Sequence, residues 1–92
     1  MTTLVKQPSE VRTYRMDFRR SLDRDDLISG VVSVSAYPDS ITVDNPSSSD
    51  KTVSFRVSGG NDGESYNIRV IVSTSLGQTI EGDGLLVVRE HL

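Results

Sequence analysis

Two runs of strictly alternating apolar residues constrain this chain more than anything else in it. In the first, Val53, Phe55 and Val57 alternate with Thr52, Ser54 and Arg56; in the second, Tyr66, Ile68, Val70 and Val72 alternate with Asn67, Arg69, Ile71 and Ser73. A period of two puts one set of side chains on a core face and the other on a wetter face, so both runs are predicted strands. Between them Ser58-Gly59-Gly60-Asn61-Asp62-Gly63 is rich in residues that tolerate positive φ. The pair is therefore expected to form a central hairpin with a long loop.

The rest of the chain repeats this pattern in shorter pieces. Met1 to Glu10 contains Pro8 and no clear period, which predicts an extended N-terminal arm over residues 1–10, disordered when free, ahead of a domain over residues 11–92. Tyr14, Met16 and Phe18 alternate with Thr13, Arg15 and Asp17, a strand with charges on its outer side. Arg19 to Asp26 is too short and polar for a stable helix and is expected as a loop anchored by Leu22. Leu27 to Ala36 predicts a strand with Ile28, Val32, Val34 and Ala36 facing in, Ser29, Val31, Ser33 and Ser35 facing out, and a bulge at Gly30.

Tyr37-Pro38-Asp39-Ser40 signals a turn, Ile41 to Val43 a short strand, and Asp44 to Asp50 an exposed polar loop. After the central pair, Ser75-Leu76-Gly77 turns the chain into a last strand ending at Val88, which Gly82-Asp83-Gly84 is expected to interrupt with a bulge. Short strands with turn residues between them and no helical period indicate an all-β fold: an immunoglobulin-like β-sandwich of six or seven short antiparallel strands with an extended N-terminal arm. The expected core is Tyr14, Met16, Phe18, Ile28, Val32, Val34, Phe55, Val57, Tyr66, Ile68, Val70 and Val72. Tyr66 stands where a tyrosine corner would turn its hydroxyl onto nearby backbone, an ordinary half-buried tyrosine being the alternative.

A chain of 92 residues buries only roughly 60 to 65% of its unfolded surface, so a modest stability margin is expected. There is no cysteine to staple it. No apolar run approaches a membrane span, and the first residues lack the basic start and long apolar stretch of a signal peptide, so the product is expected to be soluble and intracellular when made.

Charge is divided along the chain. Up to Arg24 six bases face three acids, a net +3, whereas from Asp25 onward four bases face ten acids, a net −6. The cluster Arg12, Arg15, Arg19, Arg20 and Arg24 reads either as a solvated face or as a patch that orients neighbouring subunits. Nucleic acid is an unfavourable partner, because the arginines are not interleaved with a stacking platform and the acidic body repels phosphate.

Residues able to carry chemistry are few. His91, the one histidine, sits beside the C-terminus, where a general base or metal ligand is hard to hold rigid, and is expected as an exposed tail residue. Gly59 to Gly63 lacks the Gly-Lys-Ser/Thr ending of a phosphate loop. Calcium ligands from Asp62 and Glu64, or from Asp25 and Asp26, lack the spacing of a calcium loop. No catalytic, metal or cofactor site is expected, and no enzyme.

Asp17-Phe18, Leu22, Asp26-Leu27-Ile28, Ser58-Gly59-Gly60 with Gly63 and Tyr66, then Thr74 with Gly77, together resemble small tailed-bacteriophage proteins of the fiber-tail adaptor type. The similarity runs from about Lys6 to Val88. In that family the aromatic after the aspartate is commonly Trp, here Phe18, and a second Trp in the next strand is absent here. The resemblance implies a small β-sandwich building block of a virion, synthesised in the host cytoplasm, repeated around a symmetric particle and joining tail, neck or fibre components. A carbohydrate-binding or adhesive immunoglobulin-like module is the alternative. For that role Tyr37 is the one aromatic not assigned to an inner face.

Overall fold

The computed structural model describes residues 2–90; His91 lies outside them. Seven strands form: β1 (Thr2–Lys6), β2 (Arg12–Asp17), β3 (Ile28–Tyr37), β4 (Ile41–Ser48), β5 (Thr52–Gly59), β6 (Ser65–Thr74) and β7 (Thr79–Val88). They pack as two sheets, β1-β7-β6-β3 and β2-β5-β4. This is an immunoglobulin-like sandwich with its first strand on the four-stranded sheet. All pairings are antiparallel except that of β1 with β7.

The core lies between the two inner faces. Val53, Phe55 and Val57 of β5 meet Tyr66, Ile68, Val70 and Val72 of β6, all buried, with Met16, Phe18, Ile28, Ile41, Leu86 and Val88 around them. Leu22 anchors the β2–β3 loop from below. Tyr14 pairs with Phe55 across the strands, with ring centroids 6.4 Å apart.

Several expectations are corrected. β5 and β6 are not a hairpin: β5 pairs with β2 and β4, and β6 with β3 and β7. Both runs have an apolar face to bury, and facing each other across the sandwich buries both at once. The glycines serve that crossing. Gly60 has φ +93°, and a Cβ there would lie 3.0 Å from Val88 Cγ2 and 3.3 Å from Ile41 Cδ1.

The N-terminal segment is not a free arm. Residues 2–6 are β1, paired in register with Gly84 to Val88. Lys6 at its end is buried, and its ammonium donates to the carbonyls of Gln7 (2.7 Å), Pro8 (3.1 Å) and Gly59 (2.7 Å), the last on the opposite sheet. Burial lowers the Lys6 pKa, and Glu10 partly offsets this. The Tyr14 hydroxyl donates to the Val5 carbonyl at 2.8 Å, a second tie between sheets.

In β3 the register shifts twice, between Ile28 and Gly30 and between Val31 and Ser33. Each shift advances the strand by one residue, so Val31 takes the inner position opposite Val72 and Val32 is turned out, 61% exposed. Val32 is therefore not a core residue. β4 runs on to Ser48 through the expected loop, absorbing Asn45 (φ 50°) and Pro46 as a bulge between Asp44 and Ser47. An edge strand tolerates the proline's missing N–H.

β7 carries no bulge. Its pairing with β6 is unbroken from Thr79 to Val87. Gly82 is there for space: a Cβ on it would come within 2.7 Å of Met16 Sδ and 2.9 Å of the Phe18 ring.

Candidate protein–protein interface

β2 displays its odd-numbered residues on the outer face of the three-stranded sheet, where Arg15 stands in one row with Ser54 of β5 and Ser47 of β4. Beyond the strand, Arg19 folds back beside this row. Its N–H donates to Asp17 Oδ1 at 2.9 Å, and its Nε lies a loose 3.9 Å from the same oxygen. The β4–β5 turn brings Lys51 to the same place, held by Phe18 N–H to Lys51 O at 2.8 Å.

Arg15, Arg19 and Lys51 thus line an open groove of about 650 Å³, whose walls are otherwise hydroxyl side chains from Ser47 to Ser54 and the carboxylate of Asp50. Arg15 and Lys51 have no ion-pair partner among the described residues. Unpaired guanidinium and ammonium groups beside a row of hydroxyls form a surface suited to carboxylates.

The five arginines singled out from the sequence do not form one patch. Arg12 opens β2 at its other end and pairs with Glu10 at 3.4 Å. Arg19 and Arg20 also line a second hollow with Glu81 and Asp83 of β7, and Arg24 is exposed in the β2–β3 loop. The structure brings Arg15 and Arg19 together and adds Lys51, which sequence reading missed. No local signal could have found Lys51, since its place depends on the register of three strands.

Other candidate residues have structural tasks. Tyr66 makes the corner contact: its hydroxyl accepts the Asn61 N–H at 2.9 Å, donates to Glu64 Oε2 at 3.1 Å and lies 2.8 Å from Ser40 Oγ. Asp62 Oδ1 accepts the Glu90 N–H at 2.9 Å. Asp26 is fully buried, and its Oδ1 accepts the N–H groups of Leu27 (2.9 Å) and Leu76 (3.1 Å) and the Ser75 hydroxyl (2.9 Å). Burial works against its charge, but hydrogen bonds from Thr74, Ser75, Leu76 and Leu27 prevail and hold its pKa below the usual value. Among the described residues no group of three or more His, Cys, Asp or Glu is placed to hold a metal.

The fold is a small two-sheet domain, and its exposed side chains include charged, hydroxyl and several large apolar groups available for surface contacts. The family model Gp77, described as podophage GP4 fiber-tail adaptor protein gp77, matches residues 6–87, and the chain belongs to that family. A search of curated proteins gives no match. Membership carries a structural role in a phage virion, in contact with other virion proteins.

Proposed function

We propose that the protein is a non-enzymatic adaptor of a podophage virion, joining tail or neck components to fibres by protein–protein contacts and present there in several copies. It is made in the host cytoplasm and incorporated during assembly. The family match over residues 6–87 carries this reading. The charged surface supports it: Arg12, Arg15, Arg19, Arg20 and Arg24 are exposed on an otherwise acidic chain, a distribution suited to docking on acidic protein surfaces.

The test is incorporation. Arg19 and Arg20 lie in an exposed loop, so reversing both to glutamate should leave the domain folded and lower its incorporation into particles. Wild-type incorporation of that folded variant would make the two arginines an ordinary solvated surface.

A second reading, glycan binding, has one observation in its favour. Tyr37 is 78% exposed beside a hollow lined by Ser35, Asn67 and Arg69, an aromatic platform with polar groups at its edge. Tyr37→Ala would abolish glycan-array binding under this reading and leave particle incorporation intact under the first.

A further inference from the structure

The end of the sandwich opposite the β2–β3 loop is acidic. Asp39 lies in the β3–β4 turn, Asp62 and Glu64 in the β5–β6 crossing, and Glu90 just after β7. They share one corner, because the Tyr66 hydroxyl touches Ser40, Asn61 and Glu64, and the Glu90 N–H reaches Asp62. Arg89 stands beside them, leaving carboxylates in excess. Asp39 and the Glu90 carboxylate have no ion-pair partner among the described residues.

The basic groove belongs to the other end. Arg19 follows the end of β2, Lys51 precedes β5, and Asp17 pairs with Thr52 there. The acidic corner adjoins the ends of β3, β5 and β7, as the pairings Tyr37 with Asn67, Ile41 with Gly59 and Ser65 with Val87 establish. In a molecule 44 Å long and 19 × 18 Å across, the two surfaces cannot satisfy each other within one chain.

We propose that copies of this protein dock head to tail, the acidic corner of one (Asp39, Asp62, Glu64, Glu90) seating in the Arg15–Arg19–Lys51 groove of the next. The proposal rests on the reading of the chain as a repeated virion component. Charge complementarity selects a second copy as occupant, since both halves of the contact are built into every chain. Arg15 and Lys51 on one side and Asp39 and Glu90 on the other have no ion pair among the described residues, although Asp17 and Asp50 offset part of the groove's charge. Such a contact is heterologous, so it closes into a ring where the rotation between copies permits.

A charge-swap experiment on the full chain tests this. One variant carries Arg15→Glu, Arg19→Glu and Lys51→Glu; the other carries Asp39→Lys and Glu90→Lys, leaving untouched the carboxylates that hold Tyr66 and the Glu90 N–H. Circular dichroism verifies that each is folded, and sedimentation velocity reads association. Wild-type protein should self-associate at low salt, with affinity falling about tenfold or more between roughly 0.05 and 0.5 M NaCl as screening tightens. Each folded variant alone should associate more weakly than wild type, and an equimolar mixture should associate again because the acidified groove of one variant meets the added lysines of the other, while its acidic corner meets the other's basic groove. Wild-type protein that stays monomeric at low salt, variants that associate as wild type does, or a mixture that stays monomeric overturns the proposal. None of these results bears on the adaptor assignment, which particle composition tests separately.

Discussion

At the residue scale, the core and its closest approaches make the sharpest predictions. Phe55 is buried between the sheets against Tyr14, so Phe55→Ala should cost on the order of 3 kcal/mol, read as a lowered midpoint in urea. Gly82→Ala should cost about 1–3 kcal/mol, because the new methyl would press on Met16 and on a Phe18 ring locked in the core. A cost-free Gly82→Ala would show that the sheets do not approach there. Asp26 gives a pH dependence. Its folded pKa lies below the unfolded value of about 3.9, so its contribution is complete above that value and is lost as pH falls through the folded one. Asp26→Asn should be less stable at pH 7 and lose less stability on acidification, with thermal unfolding at pH 7 and pH 3 as the measurement.

At the scale of elements, β1 is the least secured strand. It is five residues long and pairs on one side only, with β7. Its amides should exchange with deuterium well before those of β6, which is paired on both sides. Lys6→Ala should lower Tm more than Arg20→Ala, since it strips a buried donor from three carbonyls whereas Arg20 is exposed. Equal Tm values would mean that the lysine does not latch the strand. β1 was not legible in the sequence, because its pairing partner lies some eighty residues away and its five residues show no period of their own. β2, β5 and β6 were legible, since each alternates cleanly. Alternation does not say which sheet a strand joins, hence the expected β5–β6 hairpin where the chain crosses between sheets. In β3, two bulges shift the phase within one run, and the inner residue changes from Val32 to Val31. Of the candidate interface, the arginines were visible from charge, while Lys51 and the serines beside Arg15 come together only through cross-strand register.

At the scale of the molecule, the family match and the divided surface fit one account: a small sandwich that works through its outside. Its net charge of −3 conceals a basic groove and an acidic corner at opposite ends of the sandwich. The most direct test of the central claim, that this chain joins fibres to the tail, is quantitative mass spectrometry of purified phage particles produced with and without the protein. The account predicts a fixed, reproducible copy number in wild-type particles and loss of fibre proteins, with capsid proteins retained, when the adaptor is absent. Particles that lack the protein yet retain fibres at wild-type stoichiometry would contradict it.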